Sequence, residues 1–362
     1  MKRRNFLRAA AAACAGTAAI ATPAIATGQR TLRLVTAWPK NFPGPGVGAE
    51  RFAKRVTEAT DGQLDIKVYA AGELVGAFEC LDAVGTGAAD MYHAAEYYWQ
   101  GKSQAFNFFT TVPFGLTAAE FNAWIYHGGG QALWDELSAK FNVKAMPCAN
   151  TGVQLGGWFT REINTLEDLK GLKMRMPGLG GETFRRLGVN IVALPGGDIF
   201  PALQNGTIDA TEWIGPWNDL AFGFYRVAKN YYIPGIHEPG ASLALGVNLQ
   251  VWNELTQAQR AIIQSAAMAE DSFTFADITM HSGPALQTLT GEHGVQVRRF
   301  SEEILKALGA VAGEVLKEAA ASDELTARVY QSYIAARRAL RPWTEAADED
   351  YLAARRLDFP YE

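Results

Sequence analysis

The sequence predicts an α/β protein built from two similar lobes, and three observations support this fold class. The chain has 362 residues, 48% of them hydrophobic, which is enough for one large or two medium domains. It opens with a strand at Thr31–Ala37, a helix from about 47 to 60 and a strand at Leu64–Tyr69, the order of a parallel crossover. The segment 78–90 resembles 199–209, since each has a short helix, a glycine stop and an aspartate entering a strand. A cleft between two such lobes is the default place for a ligand.

Residues 1–26 have the features of an export signal. Arg3-Arg4-Asn5-Phe6-Leu7 has the twin-arginine form, an alanine-rich apolar run follows, and Ala24-Ile25-Ala26 is a small-x-small cleavage site. The run is too short and too rich in alanine for a good membrane span, although a retained anchor is the alternative. We therefore predict export to the periplasm by the twin-arginine route, with the mature chain starting near Thr27.

Charge and cysteine content exclude several classes of function. The net charge is −5, and removing the four basic residues of the signal lowers it to −9. A mildly acidic exported protein without a basic stripe argues against nucleic acid and anionic membranes as partners. Cys80 and Cys148 are expected to be buried free thiols, because no spacing in the chain is typical of a zinc or redox site.

Periodicity and turn residues predict the elements outside the central stretch. The segment Ala241–Val251 is a long strand candidate that could cross between lobes, and Thr256 with Gln259 forms a capping box for a helix reaching about Thr279. The further predictions are a helix at 78–84, a helix at 120–141 interrupted at Gly128–Gly130, strands at 143–150 and 155–160, and helices at 301–322 and 324–340. The last helix carries an apolar stripe, which is typical of a core or, at a chain end, of a surface against a partner subunit.

The central stretch runs from Asn164 to Trp213 and contains the first candidate binding residue. Asn164 or Thr165 can cap a short helix, and Leu172–Met176 then reads as a strand that Pro177 ends. A new helix is expected to start near residue 181. Arg175 therefore lies at a strand end, where open α/β sheets bind ligands, and its guanidinium suits a carboxylate. The alternative is a surface arginine paired with Glu182.

The order of motifs resembles the solute-binding subunits of TRAP (tripartite ATP-independent periplasmic) transporters. The matching segments are Leu166–Pro177, Leu187-Gly188, Leu203–Ala210, the Gly85–Met91 segment and Leu255–Gln259. The resemblance implies a two-lobed periplasmic-binding-protein-like fold with crossing hinge strands, a long helix spanning both lobes and C-terminal helices. Trp213 after Glu212, and the extended C-terminus with Trp343, resemble the branch that binds small 2-oxo and 2-hydroxy acids.

This resemblance implies a division of the chain into four parts. Lobe I is residues 27–153 with about 244–290, and lobe II is residues 154–243 with about 291–323. Residues 324–362 form a C-terminal helical extension that serves dimerisation, after the signal at residues 1–26.

The resemblance also implies that Arg175 binds the substrate carboxylate and that a cation bridges protein and substrate. The positions matching its ligands are Gln154, Glu212 and the Trp213 carbonyl. A physical reason points the same way, because a substrate carboxylate facing both Arg175 and Glu212 would meet a like charge costing several kcal/mol at ~4 Å. A cation, a protonated Glu212 or a Glu212–Arg175 salt bridge without metal would each relieve this. Oxygen ligands fit Na⁺, or alternatively Ca²⁺, rather than zinc.

Other side chains are candidates for the cavity wall. Trp213, Trp217 and Trp158 flank the polar positions, although ordinary core positions are the alternative, above all for Trp217. Tyr98 follows the first-lobe strand, where a hydroxyl donor is needed, and Asn150 is placed to line the hinge. Glu238 is either a supporting group near the site or a surface residue. The histidines are assigned as structural: His93, His127, His237, His281 and His293.

The sequence therefore predicts a receptor rather than an enzyme. It would capture a small 2-oxo or 2-hydroxy monocarboxylate such as pyruvate and deliver it to the large and small membrane subunits of a TRAP permease. A homodimer through the C-terminal helices is expected. The alternatives are a dicarboxylate or sugar-acid receptor of the same family without metal, and a periplasmic enzyme that uses Glu212 as a base.

Overall fold

The computed structural model of the chain describes residues 28–358 and residue 360. The predicted export signal and its cleavage site lie outside these residues. Within the described part of the chain, every helix is too short or too polar to cross a membrane.

The strands form two mixed sheets. In chain order they are β1 Arg30–Thr36, β2 Leu64–Tyr69, β3 Met91–Ala94, β4 Val143–Asn150, β5 Gly157–Phe159, β6 Lys173–Arg175, β7 Asn190–Val192, β8 Ala210–Thr211, β9 Asn230–Ile233, β10 Ser242–Asn248 and β11 Gln296–Arg299. The first sheet has the order β2-β1-β3-β10-β4 and the second β11-β9-β5-β8-β6-β7. Strand β10 pairs antiparallel with β3 and β4, so the chain returns to the first sheet after building most of the second. We call the parts around these sheets the first and second lobes, and the predicted α/β fold class is confirmed.

Helices cover the sheets and connect the lobes. They are α1 Pro45–Ala59, α2 Cys80–Gly85, α3 Phe106–Thr110, α4 Ala118–His127, α5 Gly130–Ala139, α6 Gly178–Arg186, α7 Gly196–Gln204, α8 Pro216–Phe222, α9 Leu249–Glu254, α10 Gln257–Gly291, α11 Glu302–Ala320, α12 Glu324–Thr344 and α13 Asp350–Ala354. The long helix α10 packs on β4 of the first lobe and on α8 of the second. It therefore spans both lobes, as predicted.

Two predicted boundaries near α10 are wrong. The helix has the predicted capping box of Thr256 and Gln259 but runs to Gly291 instead of about Thr279, with Pro284 inside it. The strand predicted to reach Val251 ends at Asn248, because the Asn248 side chain accepts hydrogen bonds from the next backbone N–H groups and caps α9.

The central stretch has the predicted strand, but its capping differs. The predicted cap by Asn164 or Thr165 is wrong, because the Asp168 carboxylate accepts hydrogen bonds from both of their backbone N–H groups, at 2.9 and 2.8 Å. The short helix there is a single 3-10 turn, and α6 starts at Gly178, three residues earlier than predicted. Gly178 has φ +67°, and a Cβ there would lie 3.3 Å from the Tyr97 ring, so glycine suits this strand-to-helix turn.

The apolar stripe of α12 packs mainly on its own chain. Leu325, Val329 and Tyr333 are buried in the largest hydrophobic core cluster, which draws on both lobes, and the Leu116 N–H donates to the Tyr333 hydroxyl at 2.7 Å. For these residues the partner-subunit interpretation is wrong. Large exposed apolar side chains begin further along, at Trp343.

Candidate functional site

Two neighbouring strand ends bring the central charges together. Strands β6 and β8 are parallel, with Arg175 opposite Thr211, so their carboxyl ends lie at the same edge of the second sheet. The Arg175 Nη1 donates to Glu212 Oε1 and to the Glu212 carbonyl at 3.1 Å, and the Arg175 Nε donates to the Leu194 carbonyl at 3.2 Å. Both side chains of this ion pair are fully buried. The predicted alternative of a surface Arg175 paired with Glu182 is therefore wrong.

Arg175 remains charged in this environment. Burial is the largest single influence and opposes its positive charge, but Glu212 and the other neighbouring groups together outweigh this cost, and the pKa of Arg175 is raised above its ordinary value. The guanidinium carbon lies 5.1 Å from the centre of the Trp213 ring, a cation–π contact. Arg175 is thus a fixed, permanently charged group beside an aromatic wall.

Several buried polar atoms at this place have no partner among the residues that the structure describes. The donors are Arg175 Nη2, Trp213 Nε1 and Asn150 Nδ2, and the acceptor is Gln154 Oε1. Leaving a buried polar group unpaired costs about 1–3 kcal/mol, and a charged one costs more. Three unpartnered donors and one unpartnered acceptor therefore indicate a site prepared for a polar ligand.

A second acidic residue, Glu238, lies next to Glu212. The Gln154 Nε2 donates to Glu238 Oε2 at 2.7 Å, and Glu238 is only 2% exposed, so the surface interpretation of Glu238 is wrong. Burial and the nearby Glu212 charge raise the pKa of Glu238 well above its usual range. Burial and the neighbouring acid therefore favour the neutral form of Glu238.

His237 is a residue of this site that the sequence analysis missed. Its Nε2 lies 3.2 Å from Glu212 Oε2, on the side of Glu212 that faces away from Arg175, and it is buried. The only signal in the sequence was its position directly before Glu238, in the segment that leads from β9 to β10. Glu212, His237 and Glu238 each offer a ligand atom within 4.8 Å of the others.

A small cavity lies between the lobes beside these residues. Its volume is about 10 Å³, and it is lined by Trp38, Tyr97, Tyr98, Thr151, Gln154, Trp213, Ile214, Glu238 and Leu243. The predicted residues Gln154, Tyr98, Trp213 and Glu238 all contribute to it, whereas Trp38, Tyr97 and Thr151 were not foreseen. Burial raises the pKa of Tyr98 to about 12, so its hydroxyl stays protonated and can donate.

The other predicted wall residues differ in position. Asn150 lies at the end of β4, where its Oδ1 accepts from the Gly152 N–H at 2.9 Å. Trp158 is stacked on Tyr231, and Trp217 is stacked on His281. Trp158 and Trp217 therefore follow the alternative of ordinary packing rather than lining the cavity.

The predicted cation ligands fit a hard metal ion. Gln154 Oε1 is buried and unpartnered, the Glu212 carboxylate is adjacent to Arg175, and Trp213 borders the same cavity. Amide, carboxylate and carbonyl oxygens suit Na⁺ or Ca²⁺. These three residues would hold such an ion, which would place positive charge next to Glu212.

Comparisons with known proteins agree with this architecture. The family described as bacterial extracellular solute-binding protein, family 7, matches residues 35–323. A monocarboxylate 2-oxoacid-binding periplasmic protein of Nostoc sp. is 41% identical over 358 residues, which cover 97% of this chain and 98% of the relative. The chain belongs to family 7 of the bacterial extracellular solute-binding proteins.

Two solved structures of TRAP solute-binding proteins are similar over nearly their whole length. One, from Pseudoalteromonas atlantica with bound sodium and pyruvate, is 39% identical with a TM-score of 0.87, covering 90% of this chain and 99% of that one. The other, from Bordetella bronchiseptica, is a mixed occupancy dimer with copurified calcium and picolinate. It is 35% identical with a TM-score of 0.88, covering 90% of this chain and 98% of that one.

Proposed function

We propose that this protein is the periplasmic receptor of a TRAP transporter for a small 2-oxo or 2-hydroxy monocarboxylate such as pyruvate. It binds the acid together with Na⁺, or alternatively Ca²⁺, and delivers it to the large and small membrane subunits of the permease without changing it chemically. The observation that carries this proposal is the set of unpartnered atoms. Arg175 Nη2 and Trp213 Nε1 can donate hydrogen bonds to an anion. Gln154 Oε1 can instead coordinate a cation or accept a hydrogen bond.

Electrostatics explains why both a cation and an anion are needed. The Arg175 charge is already shared with Glu212, so an incoming carboxylate would meet the negative charge of Glu212. Such repulsion is on the order of 4 kcal/mol at ~4 Å and an effective dielectric near 20. A cation between the two carboxylates turns this repulsion into attraction. A 2-oxoacid carries a carboxylate and a ketone oxygen on adjacent carbons and can chelate the same ion.

The size of the cavity favours a small acid over the alternatives. The small volume of the cavity, about 10 Å³, and its aromatic walls suit a monocarboxylate of a few carbons better than a sugar acid. A dicarboxylate would need a second cationic side chain in addition to Arg175, and the residues that line the cavity include no lysine or arginine. The relatives from Nostoc sp. and Pseudoalteromonas atlantica support the same ligand class.

We also propose that the predicted division into lobes and C-terminal extension holds in the cell, with export by the twin-arginine signal and a homodimer through residues 324–362. Trp343 and Tyr351 are 72% and 62% exposed at the end of the chain, and the relative from Bordetella bronchiseptica is a dimer. Sedimentation velocity should give the mass of a dimer, and a monomer at high protein concentration would contradict this part.

A matched pair of ligands tests the ligand assignment. Calorimetric titration should show pyruvate binding in sodium or calcium buffer and much weaker binding after chelation and dialysis into choline chloride. Propionate, which lacks the ketone oxygen, should bind weakly in both buffers because it cannot chelate the cation. Pyruvate should be recovered unchanged after long incubation. Equal affinity for the two acids, or turnover of pyruvate, would contradict the proposal.

A further inference from the structure

Asp219 is a buried acid behind the cavity, on the first turn of α8. Its Oδ2 accepts from the Trp158 indole N–H at 2.8 Å and from the Tyr231 hydroxyl at 2.6 Å. Its Oδ1 accepts from the backbone N–H of Ile214 at 3.3 Å. Asp219 is only 2% exposed and does not line the cavity.

The Ile214 N–H and the Trp213 carbonyl belong to one peptide unit. A trans peptide is planar, so its N–H and its C=O point in opposite directions. A carboxylate that holds the N–H therefore also fixes the direction of the carbonyl, which points away from Asp219. Among residues 28–358 and 360, no hydrogen bond reaches the Trp213 carbonyl oxygen, so it is free to bind an ion.

We propose that Asp219 is a positioning residue for the cation, acting through the Trp213–Ile214 peptide. This inference rests on the proposed function, in which the Trp213 carbonyl is a ligand. The carboxylate orients the carbonyl and, as an acceptor at the opposite end of the same peptide, increases the electron density on its oxygen. Groups that hold metal ligands in this way typically change metal affinity about 10–100-fold when removed.

The first lobe contains a natural control. Glu96 is also fully buried, and it accepts from one tyrosine hydroxyl and one indole N–H, those of Tyr92 at 2.5 Å and Trp134 at 2.7 Å. Within the described residues, its carboxylate accepts no backbone N–H. If such a buried acid only supported packing, Glu96 and Asp219 would be equivalent. The bond to Ile214 distinguishes them.

Isotope labelling can test the hydrogen bond without any ligand. Labelling tryptophan with carbonyl carbon-13 and isoleucine with nitrogen-15 marks two peptides in the chain, Trp124–Ile125 and Trp213–Ile214. Asp219→Asn should shift the Trp213–Ile214 amide signal and leave the Trp124–Ile125 signal in place, whereas Glu96→Gln should shift neither by a comparable amount. An unmoved Trp213–Ile214 signal in Asp219→Asn would overturn the inference.

Calcium titration in saturating pyruvate at pH 8 tests the consequence. Asp219→Asn should weaken calcium binding about 10–100-fold, and Glu96→Gln should leave it as in the wild type. Equal calcium affinity in Asp219→Asn and Glu96→Gln would overturn the positioning role alone. A wild type that binds neither pyruvate nor calcium would overturn the proposed function as well.

A second variant keeps the test decisive if Asp219→Asn does not fold. Tyr231→Phe removes one donor to Asp219 but leaves the carboxylate and its bond to Ile214, so calcium affinity should be retained. A loss of calcium affinity in a folded Tyr231→Phe protein would show that the network acts only as packing, and would overturn the inference.

Discussion

The two walls of the cavity differ in the kind of side chain they carry. The second lobe places the ion pair of Arg175 and Glu212 next to the cavity, whereas the first lobe lines the cavity with Trp38, Tyr97 and Tyr98, which are uncharged. Burial keeps the pKa of Tyr98 high, at about 12, so this wall stays neutral at any physiological pH. Under the proposed function, the second lobe would recognise the charge of the ligand, and the first lobe would exclude water from it.

The lobes meet along an aromatic seam next to this cavity. Phe42 of the first lobe stacks on Phe222 of the second at 4.3 Å, and the Trp38 ring lies 6.2 Å from Trp213. The Asn218 Nδ2 donates to the Pro43 carbonyl at 2.8 Å. Closing the lobes lowers the local dielectric and therefore strengthens the contact between Arg175 and a carboxylate. The uncharged side chains of the first lobe would therefore increase affinity by strengthening the contact that Arg175 makes.

Arg175→Ala should have the largest effect on ligand binding. It removes a buried guanidinium beside the cavity, and losing a charge-assisted hydrogen bond of about 1.5–3 kcal/mol weakens pyruvate binding about 10- to 150-fold. Calorimetric titration measures this loss.

Arg185→Ala is the matched control for that experiment. Arg185 lies on the adjoining helix α6 but is exposed and paired with Glu182, so its removal should leave pyruvate affinity unchanged. Similar affinities of the Arg175→Ala protein and the wild type would remove Arg175 from the site.

Trp38→Ala should have a smaller effect, because it opens the neutral wall without changing charge. The loss of an aromatic contact worth about 0.5–1.5 kcal/mol predicts pyruvate binding up to about 10-fold weaker, mainly through faster dissociation. Stopped-flow fluorescence can follow this rate. Trp343→Ala, which removes a tryptophan that is 72% exposed, should not change it. A wild-type dissociation rate in Trp38→Ala would show that the first lobe does not enclose the ligand.

Tyr98→Phe should have an effect on pyruvate affinity no larger than that of Trp38→Ala. Removing one neutral hydroxyl donor costs about 0.5–1.5 kcal/mol if it contacts the ligand. Pyruvate affinity should therefore fall about 2- to 10-fold, with the cation dependence retained. An unchanged affinity would assign Tyr98 to the wall alone, and a lost cation dependence would contradict the division between the lobes.

The smallest effect on binding, but a clear effect on stability, is expected for Glu96→Gln. Burial raises the pKa of Glu96 from 4.5 to about 7. The folded protein then holds a proton that the unfolded chain has lost, so the free energy of unfolding falls as pH rises from about 4.5 to 7. Glu96 contributes up to about 3 kcal/mol to this fall. Urea unfolding at pH 5 and pH 8 should show a smaller difference for Glu96→Gln than for the wild type, and an equal difference would contradict the assignment.

The sequence was informative where local patterns determine position. Arg175 could be placed at a strand end because Pro177 stops the strand, and parallel neighbours then bring Glu212 beside it. Trp38, Thr151 and His237 could not be assigned to the site, because they come from loops whose meeting depends on how the lobes close.

Capping was predicted less well than strand position. Asn248 and Asp168 can each serve several roles in sequence, and only the tertiary path of the chain selects one. Pro284 lies inside α10, which packs on both lobes, although a proline usually ends a helix.

The proposed function depends on a cation that offsets the charge of Glu212 when the carboxylate binds. The most direct test is the affinity for pyruvate as a function of calcium concentration in the wild type and in Glu212→Gln. The wild type should bind more tightly as calcium rises, whereas Glu212→Gln, which lacks the repelling charge, should bind pyruvate with little dependence on calcium. An equally steep calcium dependence in both proteins, or none in the wild type, would contradict the claim.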